Sequence, residues 1–256
     1  MTEARFKEAA EPLFAEGLVD ALEWTPDIGW GNEVPDWAAV ALEAFSSAGR
    51  LYAHGFAFSP LSGAWEARQE RWLERLSAEL RVHRYQHLSE HFCFMSAGDF
   101  DACAPFPMPQ TDDTVQLGRE RMQRLAEVAQ IPVGLENLAT ALAPEDVHEQ
   151  GAFVDALLQP VDGFVLLDLH NLYCQAVNFG VDAVALLETW PLHRVREFHV
   201  SGGSWTSPGG ARFRRDTHDA PVPREVLELL PLALDQLHAR APVERSEERR
   251  VGKECA

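Results

Sequence analysis

Seven short motifs in this chain set imidazoles and carboxylates within or just after apolar runs. They are Glu23 in ALEW, His54 in AHG, Glu90 and His91 in SEH, Glu136 and Asn137 in LEN, Asp168, His170 and Asn171 in DLHN, Glu197 and His199 in EFH, and Asp216 and His218 in DTH. A lone His or Asp at such a place is more often a cap or a buried hydrogen-bonded residue. The whole set is different, because ionisable groups inside apolar segments are costly to bury without a compensating charge. Four imidazoles with three or four carboxylates form a hard-to-borderline N/O donor set suited to Fe, Mn or Zn, with no cysteine required. These donors exceed one coordination sphere. Two or three ions are therefore expected, with Glu136 as the carboxylate that bridges them.

The elements that must position these residues can be read from hydrophobic periodicity. Apolar or β-branched runs recur at residues 18–25, 51–59, 85–94, 132–138, 163–169 and 195–201, and their continuity suits strands buried on both faces of a parallel sheet. Amphipathic stretches lie between them. Trp65, Trp72, Leu73, Leu76 and Leu80 share one helical face, and so do Val115, Met122, Leu125 and Val128, with Thr111 or Asp112 as N-cap. Trp37, Val40, Ala41, Ala44 and Phe45 make a third stripe, and further helices are expected near 153–158 and 181–187. The last, 223–237, contains Pro231 and is expected to kink or to split into two short helices.

Strand–helix alternation along the whole chain means an α/β fold. With no linker and no glycine fingerprint after the first strand, a TIM-type (β/α)8 barrel is favoured over a Rossmann domain, and its active site would lie at the C-terminal strand ends. Two strands remain to be found. One is expected as a divergent strand within residues 1–17, the other at Pro242, Val243 and Glu244. The barrel is thus expected to span 1–244 as a single domain, incomplete at its C-terminal end. Residues 245–256 have no apolar periodicity, and RSEERRVGKEC matches one reading frame of a widely used sequencing adapter, so the native chain is expected to end or be cut near Glu244.

Composition narrows the partners. The 256 residues carry 22 Lys+Arg against 40 Asp+Glu, a formal charge of −18. Phosphate binding needs clustered Lys and Arg, so nucleic acid is disfavoured, whereas cationic peptides or metal ions are permitted. No apolar run reaches the roughly 18 residues that cross a bilayer, and the N-terminus lacks a secretory h-region, so a cytoplasmic protein without membrane contact is expected. Cys93, Cys103, Cys174 and Cys255 form no CxxC pair and read as free thiols; Cys93 and Cys103 could pair, but Cys93 reads better as a small hydrophobe. The loop SGGSWTSPGG, 201–210, reads as a flexible lid rather than a phosphate loop. His83, His87, His148, His193 and His238 lie off the strand ends and read as surface or structural.

The ordered series HG, SEH, LEN, LLDLHNLY, EFHVSG and DTH resembles the multinuclear non-haem iron-dependent oxidase family, which includes the methanobactin-maturation oxidase. The resemblance runs from about Leu18 to about Leu237 and implies a TIM barrel with two or three irons at its mouth. It implies dioxygen-dependent oxidation of residues, often cysteine, in ribosomally made precursor peptides, commonly with a separate protein that presents the peptide. Carried over by motif, His54, His91, Glu136, Asp168, His199, Asp216 and His218 would be iron ligands. His170 and Asn171 would serve a third iron or hold ligands in place, as would Glu23. Glu90, Asn137 and Glu197 would orient ligands. The carboxylate that family members place on the last strand would have to be Glu244. The same residue series is also similar to the trinuclear zinc set of endonuclease IV-like and xylose isomerase-like barrels, in which metals activate water. A non-catalytic metal-binding protein is the third reading.

Overall fold

The computed structural model describes residues 4–240. The chain opens with α1 (Ala4–Ala15), where the sequence suggests a divergent strand. In ARFKEAAEPLFA no residue is β-branched, and Phe6, Ala10 and Phe14 recur every four residues, so the helical period prevails. Next come β1 (Leu22–Trp24), the single turn α2 (Pro26–Gly29), α3 (Asp36–Ser47) and β2 (Leu51–Gly55). α1 lies on α3, with Phe14 against Phe45 at 6.0 Å and Phe6 against Trp37 at 6.3 Å between ring centroids.

α4 (Ala67–Val82) starts at Glu66, whose backbone N–H donates to the Gln69 side chain. It leads into β3 (Tyr85–His91), followed by a hairpin of β4 (Phe94–Ala97) and β5 (Phe100–Phe106). α5 (Asp112–Ala129) has the expected cap, Thr111, which accepts from Thr114 N at 3.3 Å. β6 (Val133–Glu136), α6 (Pro144–Leu158) and β7 (Phe164–Asp168) follow. α7 (Leu169–Phe179) leaves β7 without a loop, and α8 (Ala183–Glu188), β8 (Val195–His199), a small hairpin of β9 (Trp205–Thr206) and β10 (Phe213–Arg214), and α9 (Arg224–Arg240) complete the described chain.

All six expected core strands form one sheet in the order β1-β2-β3-β6-β7-β8, every neighbouring pair parallel. The sheet curls. Glu23 on β1 and His199 on β8, its two edge strands, meet at 3.2 Å, although β1 and β8 share no ladder among the described residues. This is an incomplete barrel wrapped by helices. Its core is continuous, from Leu51, Leu88, Leu135 and Val165 in the sheet to Leu76, Met122 and Leu157 in the helices.

Two features of the C-terminal third bear on the expectations. α9 is one helix through Pro231, not two, because Val226, Leu229 and Ala233 keep a buried stripe running across the proline. The 201–210 loop carries one strand of a small hairpin. Its base is pinned, since a Cβ on Gly202 would sit 2.2 Å from Ala220 O, and 205–206 pair with 213–214. The expected strand at 242–244 and the 245–256 tail lie outside the described residues. No helix among the described residues is long and apolar enough to cross a membrane.

Candidate metal centre

Side chains alternate along a strand, so His87, Ser89 and His91 share one face of β3. Register then sets the donors side by side: His91 pairs with Glu136 on β6, and Asp168 on β7 pairs with His199 on β8. His91 Nδ1 lies 3.1 Å from Gly55 O. A carbonyl only accepts, so Nδ1 carries the hydrogen and Nε2 presents a lone pair. That lone pair faces Glu136 Oε2 at 3.1 Å. His54 repeats the arrangement. Its Nδ1 is 2.8 Å from Ser89 Oγ, which donates to Ala53 O at 3.4 Å, and its Nε2 is 3.2 Å from the same Glu136 oxygen. No donor other than these imidazoles reaches Glu136 Oε2. Two imidazole nitrogens and a carboxylate oxygen converging on one point call for a positive charge between them, a metal ion or, without one, a proton on His54.

Two further groups adjoin this one: Glu136, Asp168 and His199, and Glu23, Glu197 and His199. Within each of the three groups, one ligand atom per residue lies within 4.8 Å of the others. Glu136 and His199 each belong to two groups, which is what a bridging position requires. The buried oxygens Glu23 Oε1 and Asp168 Oδ2 also lack partners.

The metal-free electrostatics follow from this crowding. Burial lowers His91, and Glu136 only partly offsets it. Burial opposes charge on His54 too, but Glu136 holds it above the ordinary imidazole range. For His199 burial is outweighed by Glu197 and Glu23, and its pKa rises to about 11. Glu136, despite burial, is held down to about 2 by His91, His54 and His199. Asp168 moves the other way, to about 6, through burial and the nearby Glu136 charge. Protons on the imidazoles here occupy the place that metal charge would take.

The structure thus brings together His54, His91, Glu136, Asp168 and His199, and draws in Glu23 and Glu197, which the sequence reading assigns to supporting roles. Asp216 and His218 stand beside the groups as a pair, His218 Nε2 lying 3.1 Å from Asp216 Oδ1. His170 is fully buried and occupied on both nitrogens, by Asp216 and by Arg214. Asn137 secures the β6–β7 level, donating to Asp168 O at 3.0 Å and accepting from Asp168 N at 2.7 Å. Asn171 donates to Asn137 O at 2.9 Å and keeps its own Oδ1 unpartnered. Glu90 points away from the His91 face and against Gly55, where a Cβ would come 2.0 Å from its Oε1. It bonds no ligand side chain among the described residues, and burial raises its carboxyl well above the usual range.

Three supporting residues escape the motif reading. Ser89 sets the His54 tautomer. His87, taken from its position as surface or structural, is buried and lies 2.7 Å from Glu197 Oε2. Arg214 is buried behind His170. The alternation His87, Ser89, His91 carries the signal for the first two; nothing local marks Arg214. Beside the centre a cavity of about 250 Å³ opens, lined by His91, Asn171, Asp216, Leu138 and Phe213 among others.

Solved structures share the architecture. The IOLI protein, crystallised with a bound zinc atom, matches with a TM-score of 0.54 and 9% identity over 90% of this chain and 80% of its own. D-psicose 3-epimerase, in the presence of D-fructose, matches with a TM-score of 0.52 and 17% identity over 93% of this chain and 78% of its own. At such identities the likeness is one of fold, a TIM barrel. In sequence, the UPF0276 protein PA3283 of Pseudomonas aeruginosa is 34% identical over 225 residues, 86% of this chain and 75% of that protein. A UPF0276 protein of Anaeromyxobacter sp. is 29% identical over 227 residues, 88% of this chain and 77% of that protein. The family model described as RiPP precursor modification enzyme MbnB/TglH/ChrH matches residues 19–249. With the donor series, the barrel and this match in agreement, the chain belongs to the MbnB/TglH/ChrH family of enzymes that modify ribosomally synthesised precursor peptides.

Proposed function

We propose that this protein is a multinuclear iron-dependent oxidase that uses dioxygen to modify a residue, cysteine foremost, of a ribosomally made peptide. The observation that carries the metal reading is the convergence of His54 Nε2 and His91 Nε2 on Glu136 Oε2, which no other donor reaches. The donors are all nitrogen and oxygen, which fits iron. His54, His91 and Glu136 would hold one ion, and Glu136, Asp168 and His199 a second. Glu23, Glu197, Asp216, His218 and Asn171 remain for a third ion or for holding ligands in place. Bound iron would supply the electrons that reduce dioxygen, chemistry that no side chain here performs.

The chain's own residues supply position. Gly55 O and Ser89 fix the two imidazoles with Nε2 inward, and His87 steadies Glu197. The cavity beside His91 would receive one substrate side chain, with Leu138 and Phe213 making part of its lining apolar. We place the reaction in the cytoplasm, with a separate protein presenting the precursor. Protein purified without oxygen should hold at least two irons per chain and consume dioxygen only with precursor peptide. Stoichiometric zinc, no iron and retained hydrolytic or isomerase activity would overturn this reading.

A further inference from the structure

Outside the donor groups, the rim of the barrel holds a second cavity, of about 310 Å³, bounded by Arg68, Arg71, Arg75, Trp30 and Trp72. Arg68, Arg71 and Arg75 recur at helical spacing and form one stripe on α4. Two carboxylates also line the cavity; Asp27 is engaged through Oδ2, its Oδ1 being buried without a partner, and Asp101 pairs with Arg68. Asp27 Oδ2 accepts from Phe56 N at 2.8 Å, Ala57 N at 2.6 Å and Trp72 Nε1 at 2.9 Å. Asp101 lies 3.2 Å from Arg68. Arg71 and Arg75 are exposed, and among the described residues no carboxylate is within ion-pair range of either. Two guanidinium groups without an ion-pair partner among the described residues thus line one cavity with a tryptophan pair, ring centroids 5.5 Å apart, on a chain of net charge −18.

The position matters as much as the charge. Asp27 follows β1 and Ala57 follows β2, so the cavity opens at the strand ends that carry Glu23 and His54. The geometry points to this arginine–tryptophan cavity as the docking site for an acidic segment of the precursor peptide, with carboxylates on Arg71 and Arg75 and an apolar side chain on Trp30 and Trp72. Guanidinium groups take carboxylates in bidentate pairs, and Arg with Trp is the composition of energetic centres in interfaces. The inference rests on the peptide-modifying reading but not on the metal. Net charge alone permits a cationic peptide; the local charge of this cavity favours an acidic one.

The test uses the full chain and a short labelled peptide of several glutamates and one leucine, with the lysine counterpart as comparison. Binding is followed by anisotropy at low and moderate salt. The glutamate peptide should bind and the lysine peptide should not. The double variant Arg71→Glu/Arg75→Glu should weaken binding about tenfold or more and flatten its salt dependence. Arg81→Glu, on the same helix but bonded to Ser77 outside the cavity, should leave it unchanged. Equal weakening by Arg81→Glu, stronger binding of the lysine peptide, or full competition by equimolar sulfate or a single-stranded oligonucleotide would overturn the proposal. Metal content, measured on every variant, should not change. A chain found to hold zinc would sink the oxidase reading and leave this test intact.

Discussion

Arg214 donates from Nε and Nη2 to Nε2 of His170, at 3.3 and 3.2 Å. A guanidinium cannot accept, so His170 Nε2 must be the lone-pair nitrogen and Nδ1 the donor, 3.0 Å from Asp216 Oδ1. In this arrangement the imidazole is a spacer between a buried cation and a carboxylate at the mouth.

Arg214→Met should therefore leave His170 Nε2 buried with only the weak thiol donor of Cys174, 3.7 Å away. We expect a loss of about 1–3 kcal/mol in thermal or denaturant unfolding, the usual cost of a stranded buried polar atom. We also expect His170 to become free to bind an ion, visible as altered metal stoichiometry. Arg214→Lys, which keeps one donor, should recover part of both. Unchanged stability and metal content in the Met variant would refute the relay.

Glu136→Gln removes the one carboxylate shared by two donor groups while keeping its shape. It should empty both groups in elemental analysis and abolish turnover. Glu197→Gln touches only the group with Glu23 and His199, so its metal loss should be partial. Equal losses in the two variants would contradict the bridging role.

Ser89→Ala deletes the partner of His54 Nδ1 without touching any ligand atom. Removing such a supporting group typically costs about 10–100-fold in metal affinity. A metal titration of the folded apo-protein measures this directly. An affinity equal to wild type would show that Gly55 and the sheet alone hold the pair of imidazoles.

Metal uptake should release protons. His199 is raised to about 11, so at neutral pH its ring is protonated in the metal-free protein and must give up that proton to bind an ion. Affinity should therefore rise with pH through the neutral range. Below about 6 Asp168 is protonated as well, and affinity should fall more steeply there. In the metal-free protein the sign for stability is the opposite. The ion pairs of His199 stabilise the fold below the ordinary imidazole range, and that stability is lost as pH rises through about 11. Calorimetric titration in buffers of different ionisation enthalpy reports the protons; heats independent of buffer would contradict the scheme.

The barrel and most of its donors were legible in the sequence because the pattern that buries a parallel strand is local. LYAHG, VGLE and FVLLD each declare a strand, and a polar residue at the end of each stands out against it. Roles were less legible, since they depend on register between strands distant in sequence. Glu197 looks like a supporting residue until β8 curls round to Glu23, 174 positions earlier, to share His199 with it. The α1 segment misled because a missing strand was sought where an amphipathic stretch with a mid-helix Pro12 lay. Arg214 had no signature at all: one of three arginines in RFRR, it is singled out only by the hairpin that carries it behind His170.

The contact between Glu23 and His199 has a further meaning. In the described chain the first and last strands of the sheet are joined at the mouth by side chains rather than by a backbone ladder. The ion bound there would act as a clasp on the seam. Loading the centre and closing the barrel then become one event, and the apo-protein should breathe along the β1–β8 line. Hydrogen exchange in 22–24 and 195–199 would slow when metal is added, while exchange in β3 and β6, laddered on both sides, would hardly change. A cell short of metal would thus hold not an idle enzyme with an intact shell but one open at its seam, the form that proteases meet first.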